Sequence, residues 1–146
     1  MKLTTRFRYG TRAVLDLSLH SAQRPVSIKE IAERQELSQK YLENLFSTLQ
    51  SAGIIRSIRG PQGGYQLSRK PEEISLKILY DILEGATPLS DCTADPTVCN
   101  RSESCVTKQV WAEMYHRSMD YLEGITLRTL MDSMENMQTT ASGYQI

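Results

Sequence analysis

Three cysteines close together in the chain are the residues best suited to chemistry. Cys92, Cys99 and Cys105 are separated by six and five residues, which is neither the Cys-x-x-Cys pairing of structural zinc sites nor the tight run of ferredoxins. Thiolates bind metals and also undergo reversible oxidation. The spacing alone therefore leaves three kinds of site open: an iron-sulfur cluster, a zinc site and a thiol-based redox switch.

The segment that carries the cysteines has no regular hydrophobic pattern. Turn-favouring residues are frequent between residues 86 and 103, namely Pro88, Asp91, Asp95, Pro96, Asn100 and Ser102. We expect an irregular, cysteine-bearing loop over residues 86–105 that is organised by something other than a hydrophobic core. A site shared by the three thiolates would supply that organisation.

The odd number of cysteines also bears on the compartment. Three cysteines fit poorly with a secreted disulfide framework and better with free or metal-bound thiols in a reducing environment. The basic N-terminus lacks the apolar stretch of a signal peptide, because Asp16 and His20 interrupt it. No segment approaches the roughly 20 apolar residues that span a bilayer. We therefore expect a cytoplasmic protein with no membrane partner.

The formal charges sum to zero but are divided unequally along the chain. Residues 1–70 contain 12 basic and 5 acidic residues, whereas residues 71–146 contain 5 basic and 12 acidic ones. Charges nearest a partner dominate electrostatic steering, so the basic half is expected to meet a polyanion. Chance clustering of charge is the alternative.

The basic half shows the pattern of three helices followed by a hairpin. Helical spacing of apolar residues predicts a first helix over about residues 5–21. Ser27, three residues before Glu30, predicts a capped start for the short helix IKEIAERQ, and Ser38 predicts the start of a stronger helix that ends near Gly53. The stretch IIRSIRGPQGGYQLS predicts two strands around a glycine-shaped tip. This order predicts a winged helix-turn-helix DNA-binding domain over residues 1–85.

In such a domain the helix that follows Ser38 enters the major groove. Its apolar face leaves the following residues outward or at the edge: Gln39, Lys40, Tyr41, Glu43 and Asn44. Gln and Asn can bond adenine, Glu43 can accept a hydrogen bond from cytosine, and Lys40 can reach guanine or a phosphate. The alternative for Glu43 is a pairing with Lys40 or another neighbour on a solvated helix.

The hairpin supplies the other candidate DNA contacts. They are Arg56, Arg59, Gly60, Gln62, Gly63, Gly64 and Tyr65. Glycines at the tip allow the backbone to approach a neighbouring surface closely. Arg59 is the candidate for the adjacent minor groove or for a phosphate.

The remainder of the chain is predicted to be helical apart from the cysteine loop. SLKILYDILEG predicts a helix that ends at Gly85, and apolar spacing beyond Cys105 predicts a five-turn helix that closes at Gly124, followed by another. So long an apolar stripe would be poorly covered within one small domain, so residues 106–138 are expected to form a homodimer interface. The alternative is a helix folded back on its own core. Residues 139–146 form a polar tail without an evident role, and the fold class is mainly α.

Three stretches resemble a known family: MKLTTRFRYGTRAVLDL, IKEIAERQELSQKYLENLFSTLQSAGII and RSIRGPQGGYQLSR. They are similar to the bacterial winged-helix repressors that include the iron-sulfur-cluster regulator IscR, the nitric-oxide-sensitive NsrR and the cysteine-metabolism repressor CymR, and the likeness runs from Met1 to about Met137. The resemblance implies a homodimer on a roughly palindromic double-stranded DNA operator. It also implies that the RGPxGGY wing and the YLExLF helix contact DNA.

The resemblance further implies a cofactor. Cluster-binding members of the family carry three cysteines at nearly this spacing, so the likeness implies an iron-sulfur cluster, 2Fe-2S or 4Fe-4S, on Cys92, Cys99 and Cys105. Operator affinity would then respond to iron, redox state or nitric oxide. A cluster-free thiol-sensing repressor is the main alternative, and an electron-transfer protein is a lesser one. No catalytic constellation accompanies the cysteines, so we do not expect an enzyme.

The fourth cluster ligand is unassigned by the sequence. Relatives place a histidine three residues past the third cysteine, or an acidic residue near the N-terminus of the partner subunit. Lys108 and Arg8 occupy those two places here. Glu103, His116, a partner-subunit residue and a solvent or small-molecule ligand are the candidates left.

Overall fold

The protein is mainly helical, as its periodicity predicts. The structure, a computed structural model, describes residues 2–86 and 88–142. The elements are α1 (Thr5–His20), α2 (Ile28–Gln35), α3 (Gln39–Ser51), β1 (Ile55–Ile58), β2 (Gly64–Leu67), α4 (Leu76–Glu84), α5 (Asp91–Ala94), α6 (Val106–Glu123) and α7 (Leu127–Ser142). Short 3-10 turns at Pro71–Glu73 and Pro96–Val98 complete the set. The predicted order of three helices and a hairpin is confirmed.

Side-chain caps define the helix-turn-helix. Ser27 accepts a hydrogen bond from the Glu30 amide at 3.2 Å, and the Glu30 carboxylate accepts one from the Ser27 amide at 2.8 Å, which confirms the capping box. The Arg24 guanidinium, together with Ser27, lowers the pKa of Glu30 to about 2. Ser38 caps α3 by accepting from the Tyr41 amide at 3.2 Å. Each cap fixes where a helix begins, and so which of its residues face the core.

A buried carboxylate holds α2 against α1. Asp16 is only 3% exposed. It accepts hydrogen bonds from the Arg34 guanidinium, the shortest at 2.7 Å, and from the Gln35 side-chain amide at 2.9 Å. A buried carboxylate is stable only when it is paired and hydrogen-bonded in this way. The network therefore fixes the first helix of the helix-turn-helix on the core.

The wing hairpin has a register that assigns each side chain to a face. Arg56 is opposite Gln66 and Ser57 is opposite Tyr65. Directly opposed residues share a face, and neighbours along a strand alternate. The Tyr65 ring packs edge-on against Phe46 of α3 at 5.0 Å. Ser57 and Tyr65 therefore face α3, whereas Arg56 and Gln66 face the other way.

The cysteine-bearing segment contains more local structure than the sequence pattern predicts. Helix α5 and the turn at Pro96–Val98 lie within the predicted irregular loop. Asp95 accepts hydrogen bonds from the Thr97 amide at 2.8 Å and from its hydroxyl at 2.7 Å, and the Ser90 carbonyl accepts from the Thr93 amide at 3.1 Å. Local polar bonds of this kind build turns without apolar periodicity. No described residue between 88 and 105 is buried.

Helices α6 and α7 complete the fold. Met119 and Leu122 of α6 are buried, on the side of the helix that packs against α4. Helix α7 packs beside α1 and extends to Ser142, four residues beyond the predicted end at 138. The remainder of the predicted tail, residues 143–146, lies outside the described residues. Among the described residues, none of the helices has the length and apolar character needed to cross a membrane.

Candidate nucleic-acid interface and cysteine segment

One face of α3 is buried and the opposite face presents polar side chains. Leu42, Leu45, Phe46 and Leu49 are fully buried. Their burial leaves exposed the four predicted groove-reading residues Gln39, Lys40, Glu43 and Asn44. These side chains lie over the first two turns of α3, next to the turn that follows α2. The structure thus brings them together on one solvent-facing surface.

Glu43 is only weakly engaged on that surface. The Gln39 side-chain amide donates a hydrogen bond to its carboxylate at 3.3 Å. Among the described residues, Glu43 forms no ion pair with Lys40. A single long hydrogen bond on an exposed surface contributes little stability. The carboxylate is therefore accessible to a base edge.

Tyr41 joins α3 to a basic face of α1 that the sequence interpretation left out of the site. Its ring meets the Tyr9 ring edge-on at 6.3 Å. The guanidinium groups of Arg8 and Arg12 lie 5.7 and 5.6 Å from the Tyr9 ring centre, within cation-π range. The arginine-rich polar side of α1 is the sequence signal that could have located these cations beside α3.

The glycines of the wing serve different purposes. A Cβ at Gly63 would lie 2.2 Å from the Ile58 carbonyl oxygen, and one at Gly64 would lie 2.4 Å from the Val26 carbonyl oxygen. Gly60 has a φ of 120°, and no described atom lies within 4 Å of where its Cβ would be. Gly63 and Gly64 are therefore required by the hairpin and its contact with the start of α2. Gly60 leaves open space beside the exposed Arg59 and Gln62.

Two other predicted DNA contacts, Tyr65 and Arg56, lie outside the exposed surface of α3. Tyr65 is half-buried on Phe46, and its backbone pairs with Val26 through hydrogen bonds of 2.7 and 3.0 Å. Arg56 is exposed on the far face of the hairpin, where it donates to the Gln66 side chain at 3.4 Å. Tyr65 therefore fixes the wing in position, and Arg56 points away from α3.

The cysteines are in one segment but the structure does not gather their sulfurs. Cys92 and Cys105 are half-buried, Cys99 is exposed, and all three are free thiols. In the described part of the chain, no three His, Cys, Asp or Glu side chains are arranged to hold a metal ion. Each half-buried sulfur instead has a hydroxyl neighbour, Ser90 at 3.3 Å from Cys92 and Thr107 at 3.2 Å from Cys105.

The surroundings of Cys105 lower the pKa of its thiol. It is the residue immediately before α6, where the helix dipole favours negative charge. Hydrogen bonds from the Thr107 hydroxyl and the Lys108 backbone amide lower the pKa of the Cys105 thiol. The Lys108 ammonium itself donates to the Ser102 hydroxyl. Lys108 therefore fastens the cysteine segment to α6 instead of presenting a ligand.

The two side chains of this chain that remain as candidates for a fourth ligand, Glu103 and His116, are both exposed. Glu103 is exposed beside Cys105 in the chain. His116 is exposed on α6 with its ring 5.9 Å from that of Tyr115. In the part of the chain that the structure describes, neither the three sulfurs nor a fourth donor is therefore arranged as a metal site.

Comparison with known proteins decides the family. The sequence model of the Rrf2 family, described as an iron-dependent transcriptional regulator, matches residues 3–133. The chain belongs to the Rrf2 family. Protein rrf2 of Nitratidesulfovibrio vulgaris (strain Hildenborough) is 44% identical over 132 residues, which cover 90% of this chain and 87% of that protein.

Two solved structures of Rrf2-type regulators have the same fold. T. potens IscR is 37% identical, with a TM-score of 0.78 over 94% of this chain and 91% of that one. CymR (YrzC), the global cysteine regulator of B. subtilis, is 30% identical, with a TM-score of 0.78 over 91% of this chain and 98% of that one. These likenesses confirm the predicted fold class and the predicted resemblance. The chain is a DNA-binding transcriptional regulator and not an enzyme.

Proposed function

We propose that this Rrf2-family regulator binds a roughly palindromic operator as a homodimer, as a repressor whose affinity depends on an iron-sulfur cluster at Cys92, Cys99 and Cys105. The observation that carries the proposal is the position of the three cysteines, in the one segment that joins the winged half to α6. The family description as iron-dependent and the likeness to an IscR structure support it. The signal would be iron, redox state or nitric oxide.

The DNA-contacting surface of the proposal consists of the exposed face of α3 and the wing tip. Gln39, Lys40, Glu43 and Asn44 supply donors and acceptors for base edges. Arg59 and Gln62 extend from the tip beside Gly60. Four other candidate DNA contacts would support this surface without touching DNA. Tyr41, Gly63, Gly64 and Tyr65 hold α1, α3 and the wing in their relative positions.

The donor set fits a cluster held by thiolates, although the sulfurs must first come together. The segment is held by local hydrogen bonds, and none of its described residues from 88 to 105 is buried. Gathering the sulfurs therefore disrupts no buried packing. Once bound, a cluster at these cysteines would supply a link that is lost on oxidation or iron depletion. The cations at Lys108 and Arg8 leave the fourth position to Glu103, His116, a partner residue or solvent.

Coupling to DNA follows from what the segment connects. Helix α4, which precedes it, packs against α1 and α3, and α6, which follows it, packs against α4. Gathering the three sulfurs constrains both ends of the segment, and so the placement of α6 relative to the winged half. In a dimer paired through α6, this changes the spacing of the two α3 helices. Spacing sets the fit to two half-sites one helical turn or a multiple apart.

The exposed side of α6 supports the dimer. Val106, Val110, Met114 and Tyr121 are 74%, 57%, 47% and 70% exposed. Val110, Met114 and Tyr121, together with Leu3, border an apolar groove of about 570 Å³. An apolar stripe of this length at the surface is typical of an interface, and a second copy of α6 presents the same stripe in a two-fold arrangement.

Sedimentation equilibrium of the full chain tests the dimer. Met114→Lys should weaken dimerisation by roughly 100-fold, because two ammonium groups, one from each copy, would be buried in an apolar interface. Gln109→Lys adds the same charge at an exposed position of α6 outside the groove and should remain dimeric. A monomeric wild-type protein, or equal association of wild type and Met114→Lys, would rule out this interface.

Anaerobic purification tests the cofactor. The wild-type protein should show visible iron-sulfur absorption and release acid-labile sulfide, whereas Cys99→Ala should lose both because a thiolate ligand is missing. Ser104→Ala changes an exposed polar residue of the same segment and should keep both signals. Wild-type protein that stays colourless and sulfide-free after reconstitution would contradict the cluster. A thiol-based switch, which the lowered pKa of Cys105 favours, would then take its place.

Arg59→Ala tests the wing contact. If Arg59 reads a base, the substitution should cost about 1–3 kcal/mol of operator binding and leave binding to mixed-sequence DNA unchanged. If it holds a phosphate, affinity should fall uniformly and the salt slope should decrease by about 1. Arg101→Ala removes an exposed arginine of the cysteine segment as a control. Fluorescence anisotropy identical to wild type at every salt concentration would remove Arg59 from the interface.

A further inference from the structure

A second cavity lies on the far side of the wing, away from α3. It measures about 400 Å³ and is enclosed by the base of the hairpin, the end of α1 and the beginning of α7. We call it the wing-base cleft. Its polar lining consists of Ser18, Ser21, Arg56, Gln66, Arg69 and Arg128. Three arginines therefore line one concave site, and none of its described lining residues is acidic.

Two of the three guanidinium groups have no compensating charge. Arg128 donates to Glu72 at 3.2 Å and lies 3.7 Å from Asp132. Arg69 makes no hydrogen bond or ion pair with any described residue, and the partner of Arg56 is the neutral Gln66 amide. Like charges that border one site repel each other. The cleft therefore has an excess of positive charge that the described residues do not neutralise.

The chain folding explains why these cations converge. Arg56 and Gln66 are opposed in the hairpin register, on the face away from α3. Arg69 follows β2 directly, and Arg128 lies in the first turn of α7. Three separate parts of the chain thus contribute an arginine to the lining of one cleft. The arrangement is a property of the fold, which distinguishes it from a run of neighbouring charges.

We propose that the wing-base cleft binds a phosphate group. The planar guanidinium fork matches the oxygens of a phosphate and can donate two hydrogen bonds to it. Arg56 and Arg69 would make the principal contacts, with Gln66 as a neutral donor. The phosphate comes either from the DNA backbone that flanks the wing or from a small phosphate ion.

The surroundings also set the expected strength of binding. The C-terminal end of α1, which borders the cleft, is the negative end of a helix dipole. It opposes an anion, so free phosphate should bind weakly and require titration to high concentration. Removal of one guanidinium should weaken this binding by about tenfold, as expected for the loss of charge-assisted hydrogen bonds.

Calorimetric titration tests whether a small phosphate ion occupies the cleft. Inorganic phosphate is titrated into the full-length, DNA-free protein at constant ionic strength. Saturable binding that Arg69→Gln and Arg56→Gln each weaken, and that Lys70→Gln leaves unchanged, supports a site for a small phosphate. Lys70 is the matched control because it is an exposed cation one residue away that does not line the cleft. Thermal unfolding of each variant checks that it folds, and the two arginine variants serve as independent tests.

The salt dependence of binding to a mixed-sequence duplex tests whether a phosphate of the DNA backbone occupies the cleft. If a backbone phosphate occupies the cleft, Arg69→Gln should lower the slope of log affinity against log salt by about 1, while Lys70→Gln preserves it. Such a change without saturable binding of free phosphate supports the DNA source. Two results overturn the proposal: neither assay responds to the arginine substitutions, or Lys70→Gln has an effect as large as theirs.

Discussion

The packing of Tyr65 against Phe46 is the contact on which the DNA-facing surface depends. The ring contact at 5.0 Å joins the wing to the buried side of α3, and the backbone of Tyr65 pairs with Val26 just before α2. A single residue thus fixes the wing relative to both helices of the helix-turn-helix. Gly64 is needed next to it, because a Cβ there would collide with the Val26 carbonyl. Exposed side chains on α3 and the wing tip can then act as one rigid surface, which limits the ordering cost of binding.

The cysteine segment, in contrast, is not held by packing against the core. Its turns are held by the side chains of Asp95 and Thr97 and by the Ser90 carbonyl, and no described residue from 88 to 105 contributes to the core. Segments with few buried contacts have a low free-energy cost of local rearrangement. The proposed response to loss of a bound cluster requires such a segment between two rigid parts. Here the rigid parts are the winged half and the α6 helix.

The sequence predicted the elements that depend on local chemistry. The bounds of α2, its capping box, and the exposed and buried faces of α3 follow from residue type and spacing. The sequence did not show on which face of the hairpin Arg56 lies. Strand alternation assigns that face only once the pairing of Arg56 with Gln66 is known. The role of Gly63 and Gly64 was also hidden, since it depends on backbone oxygens of Ile58 and Val26. Pattern alone gave no sign of the cleft formed with Arg128, a residue distant in sequence from the wing.

The cysteines show a different limit of sequence interpretation. Their number and grouping indicate a shared site, but in the proposed cluster the arrangement of the three sulfurs would be imposed by the metal and not by the polypeptide alone. Lys108 and Arg8, which stand where the resemblance implied a ligand, are cationic side chains without a free lone pair for iron. In the proposed cluster, a fourth donor would therefore have to come from Glu103, His116, the partner subunit or solvent. The family assignment and the winged fold do not depend on that donor.

The affinity of one operator for cluster-loaded and cluster-free protein, measured anaerobically at the same salt concentration, tests the central claim most directly. The operator is selected from genomic fragments by the protein itself. Coupling through the cysteine segment predicts that the two affinities differ by about 5- to 150-fold, the usual range for coupling between two sites. Equal affinities, with the cluster shown to be intact throughout, would contradict the account.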